Sequence, residues 1–201
     1  RPLIGGHCPM AYAHISDVKL YRGIPADNTD DDALLESLLD AAQSAIDGYC
    51  DRTFDYTTTS TRYYDAVEDV DGRRLYLDTD CAEIVTITNG DGTVVAGTSY
   101  VTVPRNSTPY REIVLKSDSG VDWTYEDSHE DAISVRGRWA YGMTIPAAIQ
   151  QAAIRLAAYM YAQKDAQVFD TTMYPDAGVM TIPQGIPRDV QQLLAPYRRI
   201  V

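Results

Sequence analysis

Histidine and cysteine, the usual ligands of zinc, are scarce in this sequence. Its three histidines and three cysteines are widely scattered, and no Cys-x-x-Cys pair occurs. His7, Cys8 and His14 lie closest together and could bind zinc, but they are too few for a convincing site. We therefore predict no metal centre.

Two short motifs resemble catalytic or calcium-binding sequences. Asp127-Ser128-His129 has the residue types of a hydrolytic triad, but a triad is assembled from residues that are distant in sequence. Asp69-Val70-Asp71-Gly72 has part of the EF-hand spacing, but Val67 occupies the first ligand position and Asp78 replaces the bidentate glutamate. We therefore predict that the first motif is not a catalytic triad and that the second does not bind calcium.

Signatures of nucleotide binding and of a nucleophilic serine are also missing. The sequence contains no phosphate-binding P-loop, no dinucleotide-binding glycine motif and no Gly-x-Ser-x-Gly. We predict that the protein is not an enzyme and needs no cofactor. Two carboxylates that converge in a cleft could still make a glycosidase, so a carbohydrate-binding or hydrolytic β domain stays open as an alternative.

The charge of the chain argues against nucleic acid and membranes as ligands. The net charge is −12 over 201 residues, and acidic residues concentrate in 26–55 and 118–131. Such surfaces repel phosphates and anionic lipids. The alternative explanation is an acidic face that keeps the protein soluble. Neither explanation favours sequence-specific DNA binding.

Tyrosine is unusually frequent, and hydrophobic runs are short. The sequence has fifteen tyrosines but only two phenylalanines and two tryptophans. Tyrosine has an apolar ring and a polar hydroxyl group, which suits surfaces that a partner covers. Ordinary cross-strand pairs in a β domain would explain them equally well. No apolar run approaches the ~20 residues of a membrane span, and no signal peptide is recognisable. We expect a protein made inside the cell, in a reducing compartment.

Helical periodicity appears in two long segments. In 30–50, acidic residues fill the first turns and apolar residues recur every three or four positions, ending in the stripe Leu35, Leu38, Leu39, Ala42, Ile46 and Tyr49. The alanine-rich run after Pro146, to about Asp165, has a second such stripe. Shorter helices are expected near Asp17–Leu20 and after Pro187. The two long helices should pack together.

The segment between the two long helices has the composition of β-strands. Short runs rich in Val, Ile, Thr and Tyr alternate with turns, and Asn89-Gly90-Asp91-Gly92 is a strong hairpin signal. The predicted strands are Thr61–Asp65, Arg74–Leu77, Glu83–Thr88, Thr93–Val95, Tyr100–Val103, Glu112–Lys116 and Ala132–Trp139. Gly178–Gly185 is predicted to be a loop.

These patterns predict an α+β fold, a small helical bundle with an inserted antiparallel β-sandwich or barrel-like domain. Residues 1–15 would form an N-terminal arm and 16–56 the first part of the helical body. Residues 57–142 would be the β domain. The second part of the helical body, 143–201, would end in a C-terminal docking segment.

The order of the elements resembles a known family. The helix LLESLLDAAQSAIDGYCDRTF at 34–54, with its Cys50–Phe54 turn, is similar to the opening helix of the head–tail connector, or adaptor, proteins of tailed bacteriophages. Further similar segments follow in the family's order: Tyr63–Asp65, Tyr100–Asn106, Val135–Gly142, Ile145–Ile149, Ile186–Val190 and Leu193–Arg198.

The resemblance implies a structural virion protein of the neck, without catalysis. Such connectors form a ring, usually dodecameric, that sits beneath the portal and above the next neck, stopper or tail protein. DNA passes through the ring during ejection and is not bound sequence-specifically. Assembly would take place in the host cytoplasm. A tail-completion or tail-terminator protein is the alternative among virion proteins.

The resemblance also suggests which residues make contacts. The closing segment of the family reaches the portal, and here it combines apolar and basic residues, which are Pro187, Leu193, Leu194, Tyr197, Arg198 and Arg199. The alanine-rich helix permits close approach, so we expect contacts between subunits at Ala152, Ala157 and Tyr159. The residues after Pro196 are expected to extend away from the body.

Overall fold

A computed structural model describes residues 11–166, 172–174, 178–180 and 185–199. The chain forms two compact units. Arg52–Thr144 form a β unit, and Ala11–Asp51 with the described residues from Ile145 onward form a helical unit. The elements in chain order are α1 (Ile15–Arg22), α2 (Asp32–Cys50), β1 (Thr59–Tyr64), β2 (Val70–Asp71), β3 (Arg74–Cys81), β4 (Glu83–Thr88), β5 (Tyr100–Val103), β6 (Tyr110–Leu115), β7 (Ile133–Arg138), α3 (Ala147–Ala166), β8 (Thr172–Tyr174), β9 (Gly178–Met180) and α4 (Arg188–Leu194), followed by a 3-10 turn at Ala195–Tyr197.

The helical unit is built on α2 and α3, which pack against each other as predicted. The face of α2 that is buried is formed by Leu35, Leu39, Ala42, Ile46 and Cys50. It lacks two members of the predicted stripe, Leu38 and Tyr49, which are only half-buried, and it includes Cys50, which was not predicted. Helix α1 ends at Gly23, whose φ of 69° provides the left-handed cap that a side chain would disfavour.

The β unit is an antiparallel sandwich. One sheet has three strands in the order β1-β7-β4, and the other has four in the order β2-β3-β6-β5. Apolar side chains from both sheets form a single core, which confirms the predicted α+β class with a β-sandwich insert. Gly137 in β7 is required there, because a Cβ would lie 2.4 Å from the Glu83 carbonyl oxygen of the bulged strand β4.

Three local predictions in and after the sandwich were wrong. Thr93–Val95 contains only an isolated bridge between Thr88 and Val94, because the Asp91 carboxylate accepts hydrogen bonds from Thr93 and draws it into the turn. The two-residue strand β2 was missed, since it is too short to show a period. Gly178–Met180 pairs with β8, although the sequence predicted a loop there.

A buried ion pair joins the segment that enters the β unit to strand β3. Arg52 and Asp80 lie 3.0 Å apart, with side chains only 6% and 5% exposed. The guanidinium group also lies over the Tyr141 ring, 5.3 Å from its centroid. The Tyr141 N–H donates to the Thr53 carbonyl at 2.9 Å. Arg52 and Thr53 are therefore fixed by contacts to β3 and to the segment that follows β7.

Candidate functional site

The helical unit has a surface groove that contains two of the predicted contact residues. The groove has a volume of about 260 Å³. Tyr159 of α3 and Pro187, just before α4, both line it. The remaining lining residues come from the end of α1, from α3 and from α4, and they are Tyr21, Arg22, Arg155, Ala158, Ala162, Asp189 and Val190. Sequence patterns predicted two of its residues but not that they meet.

Large apolar side chains stand beside this groove. Leu20 is 82% exposed and Tyr21 is 54% exposed, both in the last turns of α1. Adjacent exposed apolar residues on a small domain are typical of a surface that a partner covers. Periodicity could not reveal them, because α1 is too short for its outward face to be assigned from sequence.

Charged pairs fix the walls of the groove. Arg155 and Asp189 lie 3.2 Å apart and connect α3 to α4. Because both side chains are well exposed, this pair contributes at most about 1 kcal/mol to stability. Arg22 lies over the Tyr161 ring at 5.7 Å. The groove therefore combines aromatic faces with guanidinium groups, a composition enriched at protein interfaces.

Tyr161 and Lys164 anchor α3 to the start of α2 near the groove. The Tyr161 hydroxyl donates to the Asp31 carboxylate at 2.6 Å, and Lys164 Nζ donates to it at 2.8 Å. These hydrogen bonds, the one from Lys164 first, hold the pKa of Asp31 below its usual value. The acidic start of α2 is thus neutralised locally by residues of α3.

The C-terminal segment lies against α2 as far as Arg199. The Arg199 N–H donates to the Cys50 carbonyl at 2.9 Å, and the Arg198 guanidinium lies over the Tyr49 ring at 5.2 Å. The expected extension away from the body after Pro196 is therefore wrong for these residues. Positive charge at the C-terminal end of a helix is favourable, because the helix dipole is negative there.

The predicted portal-docking residues divide between surface and core. Leu194 is fully buried and belongs to the core of the helical unit. Leu193 and Tyr197 are half-buried, and Arg198 is exposed. We call these three residues, with Arg199, the C-terminal patch. Pro187 lies elsewhere, in the groove.

The two alanines expected at a subunit contact are core residues. Ala152 and Ala157 are each 0% exposed within the helical unit. Their small side chains allow close packing inside the subunit, so they have no surface to offer to a neighbour. The third candidate on α3, Tyr159, is half-buried and lines the groove. The expectation for the alanines is corrected accordingly.

The residues of the apparent triad do not form one. His129 Nδ1 bonds the Asp65 carboxylate at 2.9 Å, whereas the Ser128 hydroxyl donates to Glu130. The hydrogen bond to Asp65 raises the pKa of His129, and the Ala66 N–H donates to its carbonyl. The serine hydroxyl therefore bonds Glu130 and not His129, and His129 connects two loops of the β unit.

Other reactive groups are equally unsuited to catalysis. Burial raises the pKa of the Cys81 thiol to about 12, which keeps it protonated and unreactive. Asp69 accepts a hydrogen bond from the Asp65 N–H, so it is used within its own loop.

Among the described residues, no group of histidines, cysteines and carboxylates could hold a metal ion. His7 and Cys8 lie outside the described residues. Within the described part of the chain, no helix combines the length and hydrophobicity needed to cross a bilayer.

Comparisons with known proteins give a consistent result. The sequence matches the model of the family described as "Head completion protein" over residues 13–200. The fold is similar to a chain in the neck of an empty gene transfer agent particle, computed with C6 symmetry. The TM-score is 0.58 and the identity 18%, over 93% of this chain and 89% of that one.

A second solved structure agrees. A chain in the virion of a native gene transfer agent particle aligns with a TM-score of 0.55 and 19% identity, over 93% of this chain and 89% of that one. At such identities the likeness establishes the fold. A search of curated proteins finds no match.

Proposed function

Because the chain belongs to the head completion protein family, we propose that it forms a ring beneath the portal that links the DNA-filled head to the tail. As a head completion protein it is a structural virion protein of the neck. The observation that carries the proposal is the family match, which spans residues 13–200 and so includes both units of the chain.

The similar folds support a ring. Each is a component of a gene transfer agent particle, and one belongs to a neck computed with C6 symmetry. A neck lies on the axis of its particle, where several copies of one subunit are related by rotation. We infer a closed ring, of twelve copies as is usual in the resembled connectors, for this chain too.

Two surfaces of the helical unit are suited to the contacts of such a ring. The groove with Tyr159, Arg155 and Pro187 offers aromatic and basic groups for a neighbouring subunit or a virion partner. The C-terminal patch offers Tyr197 and Arg198 to the portal. The next neck, stopper or tail protein would then bind on the opposite side of the ring.

The charge of the protein suits a passage for DNA. With a net charge of −12, walls built from this chain repel phosphates and let DNA move without adhering. Sequence-specific binding would be a disadvantage in such a passage. The assembled ring would therefore act as a conduit in the virion neck, put together in the host cytoplasm.

Assembly of particles without the protein tests the proposal. Such particles should accumulate as DNA-filled heads that leak or stay tailless, and wild-type protein should restore tails. Tyr159→Ala should restore them poorly while still folding. Tyr63→Ala is a matched control, because Tyr63 is 62% exposed on the sandwich and outside the groove. Complete particles in the absence of the protein would refute a role in the neck.

A further inference from the structure

The four-stranded sheet of the β unit has two edges with opposite charge. Strands β2 and β5 are its outer strands, and among the described strands each pairs on one side only. Residues 65–72, which include β2, carry four carboxylates and no lysine or arginine. Residues 99–111, which run from β5 through the following turn to the first two residues of β6, carry Arg105 in the turn and Arg111 at the start of β6, and no carboxylate. We call these segments the acidic edge and the basic edge.

The charges at the ends of both edges are available to a partner. Glu68 and Asp71 on the acidic edge are exposed, as are Arg105 and Arg111 on the basic edge. None of these four side chains forms an ion pair with another described residue, whereas Arg74 and Glu112 of the inner strands pair with each other at 2.6 Å. Charge is thus left unpaired at the two edges of the sheet.

Backbone groups on both edges are also open. The Lys116 N–H donates to the Ser99 carbonyl, so by the antiparallel alternation Val101 and Val103 face β6. Tyr100 and Thr102 therefore direct their N–H and carbonyl groups outward. On the acidic edge the Tyr76 N–H donates to the Asp69 carbonyl, which directs the groups of Val70 outward. Unpaired edge groups of this kind are templates for another strand.

The basic edge also has space for a side chain. A depression of about 330 Å³ runs beside β5, lined by Tyr100, Val101, Thr102, Arg105 and Asn106. On the acidic edge, Val67 is 50% exposed and precedes Glu68. Val67 of one copy could enter the depression of another copy while Glu68 pairs with Arg105.

The strand directions permit the two edges to meet. Each neighbouring pair in the sheet is antiparallel, and the sheet has four strands, so β2 and β5 run in opposite directions. A second copy placed head to tail would therefore bring its β2 antiparallel to β5 of the first. Repetition of that contact gives a heterologous interface, the kind that closes into rings.

We propose that neighbouring copies of this chain pair the basic edge of one β unit with the acidic edge of the next. The inference rests on the proposed ring and names a contact within it. Pairing of two basic edges is disfavoured because Arg105 and Arg111 would face their own copies. Since β2 has only two residues, the contact sets the order and direction of neighbours, and the helical unit supplies further contact area.

Charge reversal of the full chain tests the contact. Arg105→Glu with Arg111→Glu makes both edges acidic, and Glu68→Arg with Asp71→Arg makes both edges basic. Each double variant alone should self-associate at least about tenfold more weakly than wild type, because like charges then face each other. An equimolar mixture of the two should associate again, since acidic and basic copies can alternate. Native mass spectrometry reads both results.

A matched control separates the contact from a general effect of charge. Asp118→Arg with Glu126→Arg makes the same change in net charge as Glu68→Arg with Asp71→Arg, at exposed positions outside both edges, and it should associate like wild type. A second variant, Thr102→Pro, removes an outward N–H while leaving the bonds of β5 to β6, and should weaken association without lowering the melting temperature.

Several outcomes would overturn the inference. These are wild-type protein that does not self-associate, double variants that associate like wild type, and a mixture that gains nothing over its components. The proposed function is judged separately, by whether wild-type protein restores tails to tailless heads. If it restores tails and the edge variants do so equally well, the edge contact is wrong and the role in the neck stands.

Discussion

The buried Arg52–Asp80 pair gives the sharpest test of how the β unit is held together. Both side chains are almost fully enclosed, at 6% and 5% exposure, and Arg52 Nε has no hydrogen-bond partner among the described residues. Asp80→Ala would leave a guanidinium group buried with only the Tyr141 ring against it. The loss of one partner of a buried ion pair costs about 3–5 kcal/mol.

That cost can be expressed as a melting temperature. For a chain of this size each kcal/mol lowers the midpoint by about 2–4 °C, so Asp80→Ala should melt about 6–20 °C below wild type. Circular dichroism and urea denaturation would measure the change. Asp122→Ala is the control, because Asp122 pairs with Arg73 while 74% exposed, and its loss should cost less than about 1 kcal/mol.

A double variant distinguishes the pair from simple loss of packing. Arg52→Met with Asp80→Leu removes both charges and keeps apolar volume, so it should be more stable than Asp80→Ala alone. If Asp80→Ala and Asp122→Ala had the same melting temperature, the reasoning would be refuted. The buried guanidinium group would then be solvated in some other way.

Three further predictions follow from the packing and the titratable groups. Leu39→Ala should destabilise the helical unit by about 2–5 kcal/mol, measured by urea denaturation, whereas Glu36→Ala on the exposed side of α2 should have little effect. Ala157→Leu should lower the melting temperature before it affects assembly, because the site is fully enclosed; a stable variant that fails only in assembly would contradict the core assignment. The raised pKa of His129 contributes stability that is complete below its unfolded pKa of about 6.5 and is lost as pH rises through the higher folded value. The pH dependence of melting in that window should disappear in His129→Gln, and its persistence would assign it to another group.

The helical unit shows what periodicity can predict. An acidic first turn and apolar spacing located α2, whereas Pro146 and apolar spacing located α3. Their mutual packing followed from the stripes that both helices carry. The family resemblance, based on the order of short segments, is confirmed by the match over residues 13–200. The helix signals and the short family segments could be recognised because each is formed by residues that are close together in the sequence.

The surfaces were less accessible to the same reasoning. A small side chain permits close packing with any neighbour, so alanine content alone could not tell whether Ala152 and Ala157 face a partner or the subunit's own core. The anchoring of Arg199 to Cys50 and the groove that joins Tyr21 to Pro187 each depend on residues that lie far apart in the sequence. Contacts at such separations are set by tertiary packing and leave no local pattern.

Cryo-electron microscopy of the particle that contains this chain tests the central claim most directly. The account predicts a ring of copies on the axis between head and tail, into whose density both the helical unit and the β-sandwich can be fitted. Absence of the chain from that axis, or its presence as single copies elsewhere on the particle, would contradict it.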